Sequence, residues 1–348
     1  MGNAEEANTS DSTNRDDTAT AEEQLEAIGA GSFNYFTIFI LGAFNCAYGM
    51  EILVTNICFR AMPRTAWGIT DDDRGHLVSI SYIGFVLGAM LAGFFSDTYG
   101  RKPLIYLHSA LFIPFALWSA LATNLLTVYA TRFVVGISIG IMLPVSVSLI
   151  AELAPPSQRG WMILAVPSIG FSIGQMLVLA VGLVAMQADI ECEDDCGWWR
   201  WVFGAGLIPD AVAFLLFISL IPESPRYLLL HGKADEAEAV IRRIAAANGS
   251  EARLLDGGRL RKLQPNSARA SAWELLAPPL AKDMVVISVV WTLLGFGLYG
   301  LNFLAPILLE RVYHVNSFVQ VATCACVCSE ITVSLLQEST CVCVLHNE

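Results

Sequence analysis

Two charged residues stand where charge is expensive. Glu51 lies inside the apolar run Phe33–Phe59, in Tyr48-Gly49-Met50-Glu51-Ile52-Leu53, and Arg132 lies inside the run Leu125–Ile150. Ionised groups within such segments face a cavity or one another. A carboxylate so placed can take up and return a proton, while the guanidinium stays charged. Burial favours the neutral acid and a neighbouring arginine favours the carboxylate, so proton uptake would release the arginine. The alternative is that Glu51 reaches toward an outer surface, since Arg60 and Arg64 follow soon after.

A second group of charges clusters at the ends of the apolar runs. One stretch reads Gly93-Phe-Phe-Ser-Asp97-Thr-Tyr-Gly100-Arg101-Lys102-Pro103, in which Gly100 permits a sharp turn and Asp97 and Arg101 can pair. Another runs Glu152-Leu-Ala-Pro-Pro-Ser-Gln-Arg159-Gly160, and a third Pro222-Glu223-Ser224-Pro225-Arg226. Charge pairs at such positions can lock or release one side of a bundle; the plain alternative is a set of incidental interfacial charges. Cys192 and Cys196 could form a short disulfide, which close spacing would strain. Five of the nine cysteines fall in the last 25 residues (Cys324, Cys326, Cys328, Cys341 and Cys343), but in an apolar stretch without the polar knuckle of a zinc site. No metal and no cofactor is expected.

The elements that must position these residues follow from composition. The chain has 348 residues, 55% hydrophobic and only 15% charged, with a mean hydropathy of +0.57. A soluble domain carries about 25% charged residues. A single globule cannot hide this much apolar surface, and a net charge of −12 argues against nucleic-acid binding. An all-α, polytopic membrane bundle remains. Spanning a hydrocarbon core of about 30 Å takes roughly 20 apolar residues. Such runs are Phe33–Phe59, Leu77–Phe95, Leu104–Leu121, Leu125–Ile150, Trp161–Met186, Trp201–Ile221 and Met284–Leu309, with a weaker eighth at Phe318–Leu336.

Charge placement gives a topology. Residues 1–30 hold eight carboxylates against Arg15 alone and read as a disordered acidic tail. With that tail in the cytoplasm, 14 of the 20 Lys and Arg residues fall on the cytoplasmic side, ten of them between Arg226 and Lys282. The chain then divides into the tail (1–30), a six-helix bundle (31–222), a cytoplasmic loop with short helices (223–282) and a partial second bundle (283–348). Within the loop, Lys233–Ala247 has helix formers and the apolar spacing of a surface helix.

Four motifs in register, each at a helix end, carry a resemblance. They are the Gly93–Pro103 stretch, Arg132-Phe-Val-Val-Gly136 with its ending Glu152–Gly160, the Pro222–Leu228 stretch, and Gly197-Trp198-Trp199-Arg200-Trp201. Together they resemble the major facilitator superfamily, in its sugar and organic-ion porter group, over about residues 33–310. The resemblance implies twelve helices in two six-helix halves, with substrate held between them. It implies a cytoplasmic gating network of Asp97, Arg101, Glu152, Arg159, Glu223 and Arg226, and a proton-coupling pair of Glu51 and Arg132. The seventh run, with Tyr299-Gly300-Leu301-Asn302, lacks the Gln-Gln pair of sugar porters. It is more similar to the synaptic-vesicle-related and niacin-transporter-like branch, which handles small organic ions. Asn45, Asn56, Gln175, Tyr299 and Asn302 are the candidate cavity residues, with helix packing as the competing explanation for each.

Beyond about Val312 the resemblance fades, and the end reads as a truncation. Three readings compete: proton-coupled transport of a small organic ion, a transporter-like receptor or scaffold, and a short regulatory or non-functional isoform. Sugar transport is less favoured. The expected partners are a small organic ion, protons and the lipid bilayer, in a membrane whose identity stays open. No nucleophile–base set or phosphate loop suggests an enzyme.

Overall fold

A computed structural model describes residues 19–187, 197–261, 278, 281–290, 292–293, 295–297 and 300. In chain order the helices are α1 (Ala21–Ile28), α2 (Ser32–Cys58), α3 (Arg64–Trp67), α4 (Asp71–Tyr99), α5 (Arg101–Ala120), α6 (Leu125–Leu153), α7 (Arg159–Gln187), α8 (Trp198–Ala205), α9 (Leu207–Leu220), α10 (Pro225–Leu230) and α11 (Ala234–Ala247). Among the described residues six segments are long and apolar enough to cross a membrane: α2, α4, α5, α6, α7 and the combined α8–α9 segment Trp198–Leu220. Residues 281–290, at the start of the seventh apolar run, are helical. The eighth run, Cys192, Cys196 and the C-terminal cysteines lie outside the described residues.

Two helix pairs pack on small residues. Gly84 and Gly88 of α4 meet the backbone of Phe133 and Ile137, while Gly136 and Gly140 of α6 meet that of Ser81 and Phe85. The α2–α7 pair repeats the device, with Gly170 and Gly174 against the backbone of Gly42 and Cys46. Three of these are Gly-x-x-x-Gly pairs on one helix face, the spacing that lets backbones touch where lipid provides no hydrophobic drive. The outer faces are apolar and open: on α4, Ile83, Val86, Leu87, Met90 and Phe94 are exposed.

The acidic head differs from its expected disorder at its C-terminal end. Thr20 caps α1 in a reciprocal box, its hydroxyl accepting from Glu23 N–H at 3.2 Å while its own N–H donates to the Glu23 carboxylate at 2.8 Å. Leu25 and Ile28, three residues apart, are buried in one cluster with Ile241 and Ile244 of α11. Gln24 donates to the carbonyls of Leu255 (2.7 Å) and Arg259 (3.2 Å). Two apolar side chains and one amide thus order a segment whose composition is otherwise that of a tail.

This helix also closes on the loop between α6 and α7. Glu26 accepts from Ser157 N–H at 3.0 Å, and Glu22 pairs with Arg159 at 3.2 Å. The Ser157 amide, and then its hydroxyl, hold the Glu26 carboxyl below its ordinary range. A lowered folded-state pKa contributes stability present above the unfolded value and lost as pH falls through the folded one. We therefore expect the Ser157 amide to stay protected from hydrogen exchange at neutral pH. Protection, corrected for the intrinsic rate, should fall below the ordinary carboxylate range; unchanged protection there would remove Glu26 from the contact.

Candidate functional site

Glu51, on α2, meets Arg132, on α6, as a direct ion pair, with side chains 4% and 2% exposed. Arg132 is held from three sides. Its Nη1 donates to Glu51, its Nε donates to Ser119 Oγ of α5 at 3.1 Å, and its guanidinium carbon lies 4.5 Å from the Phe203 ring centre of α8. Gly206, between α8 and α9, leaves room for the carboxylate: a Cβ there would sit 3.2 Å from Glu51 Oε1. Glu51 is therefore an interior residue and does not reach for a surface.

The pair forms part of the wall of a small, open-sided cavity of about 40 Å³ between α2, α4 and α6. The other polar or aromatic lining residues are Tyr48, Thr55, Ser81, Tyr82 and Phe85. Tyr48 stacks on Phe85 with ring centres 6.0 Å apart and contacts Phe171 at 5.1 Å. The cavity lining offers aromatic faces, hydroxyls and one charge pair.

The candidate cavity residues fall elsewhere. Asn45 donates to its own helix at the Leu41 carbonyl (2.8 Å) and to Ser146 Oγ (3.4 Å). Asn56 accepts from Arg74 Nε at 3.3 Å. Gln175 is fully buried, and its amide finds no partner among the described residues. None of the three lines this cavity. Asn45 and Asn56 instead meet side chains of α6 and α4. Tyr299 and Asn302 lie outside the described residues.

At the end of the bundle where α4 turns into α5, Gly100 adopts φ +99°, a conformation that favours glycine. Arg101 then pairs with Asp97 at 3.1 Å and Glu152 at 2.8 Å. Glu223 does not join as a cation's partner. Its two carboxylate oxygens accept from the first two amides of α5, Arg101 N–H and Lys102 N–H, both at 3.1 Å. A carboxylate at a helix N-terminus satisfies donors that the helix leaves open. Lys102 Nζ donates to the Ile221 carbonyl at 2.8 Å. Of the six grouped charges, Asp97, Arg101 and Glu152 form ion pairs with one another and Glu223 binds the backbone beside them. Arg159 is drawn away to Glu22, and Arg226 is exposed on the rim of a groove that Glu152 and Arg159 also line.

One buried pair escaped the sequence reading. His108 of α5 and Asp210 of α9 meet at 2.8 Å, with side chains 2% and 0% exposed. A titratable residue inside each of the runs Leu104–Leu121 and Trp201–Ile221 was the available signal, the same one that marks Glu51.

Six apolar spans, two buried ion pairs and charges at the helix ends agree with the major facilitator superfamily. The chain belongs to the family described as "Sugar (and other) transporter", whose pattern it matches over residues 69–328. It is 26% identical to the niacin transporter NiaP of Acinetobacter baylyi over 295 residues, covering 84% of this chain and 64% of that protein. It is 29% identical to the synaptic vesicle 2-related protein of Bos taurus over 298 residues, covering 85% of this chain and 51% of that one. The chain thus spans between about half and two thirds of the length of these relatives. Its fold is similar to that of the proton:xylose symporter XylE bound to 6-bromo-6-deoxy-D-glucose. The TM-score is 0.68 at 21% identity, over 88% of this chain and 70% of that one.

Proposed function

We propose that the chain forms the proton-binding part of a secondary transporter for a small organic ion, working by alternating access with its N-terminus in the cytoplasm. The observation that carries this reading is the Glu51–Arg132 pair, buried and open to the same cavity as Tyr48, Tyr82 and Phe85. Protonation of Glu51 would free Arg132 for an anionic group of the substrate or for another carboxylate. The aromatic walls favour a ring-bearing ion over a polyol, in keeping with the name of the niacin-transporting relative. Asp97, Arg101 and Glu152 would serve as the cytoplasmic latch, made and broken as the bundle rocks, with Glu223 holding the α5 end in place.

Uptake into proteoliposomes tests this directly, with labelled nicotinate and a panel of small organic cations under an inward proton gradient. Glu51→Gln should reduce gradient-driven accumulation about tenfold or more, the scale of one lost proton-transfer group, and flatten its pH profile. Uptake that keeps its pH dependence in this variant would overturn proton coupling at Glu51.

A further inference from the structure

The His108–Asp210 pair is linked to the Glu51–Arg132 pair through Phe112 and Gly206, and its hydrogen bonds determine what it holds. His108 Nδ1 is 2.9 Å from the Ser138 carbonyl oxygen, which only accepts, so Nδ1 carries a hydrogen. Nε2 is 2.8 Å from Asp210 Oδ2. Two lone pairs do not approach so closely, so one more proton lies between them, as imidazolium–carboxylate or as imidazole–carboxylic acid. Either way the pair is neutral and contains a proton that it can give up.

The surroundings make that proton matter to Glu51. The charged group in contact with His108 is Asp210 from α9; Glu51 from α2, paired with Arg132 from α6, abuts Gly206, four residues before Asp210. The Cys58 and Cys46 thiols lie further along α2, and Lys102 lies toward the start of its own helix. Phe44 and Phe112 pack on the imidazole at 5.6 and 5.5 Å between ring centres. The Gly206 Cβ position is 3.2 Å from Glu51 Oε1 and 3.8 Å from the same Phe112 ring, so one aromatic side chain and one turn of backbone separate the two pairs. Each pair also has one buried atom without a partner among the described residues: a donor on the first, Arg132 Nη2, and an acceptor on the second, Asp210 Oδ1.

We propose that His108 and Asp210 form a second proton site, and that this site and Glu51 hold one proton in alternation. While the His108–Asp210 pair holds it, Glu51 is a carboxylate balanced by Arg132. When Glu51 takes it, the N–H or O–H bond of the pair breaks and an O–H bond forms on Glu51. His108 is then neutral with its hydrogen still on Nδ1, so Nε2 and Asp210 Oδ2 draw apart, and Asp210 becomes the anion that balances Arg132. The four groups sum to zero charge in both states. Two protons would leave the cluster with one uncompensated positive charge, and none with one uncompensated negative charge, each costly in an apolar interior. Arg132 thus has a second carboxylate available when the first is discharged.

The test is made on the chain in lipid nanodiscs, following His108 by ¹⁵N-imidazole resonances assigned by their loss in His108→Gln. In Glu51→Gln, which fixes the first site in its neutral form, the His108 midpoint should fall by about one pH unit or more, the coupling expected of interacting sites. Glu51→Asp, which keeps the charge, should restore it. Reciprocally, the infrared carboxyl titration of Glu51 should move up by the same interval in His108→Gln. That measurement decides the matter if Glu51→Gln does not fold. A His108 midpoint equal in native and Glu51→Gln chains, a shift shared by Glu51→Asp, or an unmoved Glu51 titration in His108→Gln would overturn the proposal. These readouts need no transport. A flat uptake profile therefore counts against the proposed function alone, and uncoupled midpoints count against the shared proton alone.

Discussion

Replacing Arg132 with alanine should destabilise the bundle by about 3–5 kcal/mol, because removing one member of a buried ion pair leaves the other charge stranded. The loss extends beyond Glu51. The Ser119 hydroxyl loses its donor and the Phe203 ring loses the cation stacked on it. The double variant Glu51→Leu, Arg132→Met should be far closer to the native chain, since an apolar pair of similar volume avoids the desolvation of both ions. Unfolding in detergent micelles, followed across both single variants and the double, yields the interaction energy. Additive single effects would show that the two side chains contribute separately, and the pair would lose its standing as one unit.

The second large effect lies in packing. Gly140→Leu puts a side chain where the α4 backbone already lies: even its Cβ would collide with the Phe85 carbonyl oxygen and sit 2.9 Å from Ala89 N. Backbone atoms cannot turn aside as a side-chain tip can, so the helices must separate along the whole α4–α6 seam. The cost should exceed the about 1–3 kcal/mol of ordinary overpacking. It should appear as loss of the monodisperse folded fraction in size-exclusion chromatography. Gly93→Leu, on the same helix as Gly84 and Gly88 but with nothing within 4 Å of its Cβ position, is the control and should leave that fraction unchanged. Equal behaviour of the two variants would refute the close-packed seam.

The features legible from residues are those that a strong rule enforces. The six spans followed from the length of apolar runs, and Glu51 and Arg132 from the cost of charge within them. The rule that marked Glu51 also covered His108 and Asp210, but their side chains meet from helices 102 residues apart and no local spacing announces the pair. The cavity wall was less legible for a different reason. In α2 apolar residues face both lipid and protein, so the pattern does not reveal which side of the helix points inward. Asn45 and Tyr48, three residues apart, were equally eligible. Only the approach of Gly42, Cys46 and Gly49 to α7, through contacts between backbones, fixes the rotation that turns Tyr48 toward Phe85. The α1 helix was hidden because Leu25 and Ile28 are too few to outweigh eight acids in composition, though enough to dock one helix of eight residues.

Glu223 has a mechanical consequence. It follows α9 by three residues and grips the first two amides of α5, and Lys102 reaches back to Ile221 beside it. Seven residues into α5, about 10 Å along its axis, His108 is fastened to Asp210 of α9. Two rods joined at two separated points can neither twist about their own axes nor slide past each other without breaking a joint. Helices α5 and α9 therefore behave as a single lever, with its handle at the helix ends beside Arg101 and its working point beside Arg132. While the His108–Asp210 pair holds its proton, a tilt applied at the handle is carried to the buried charges; when the proton leaves, the inner joint opens and the two rods are freed to move apart there.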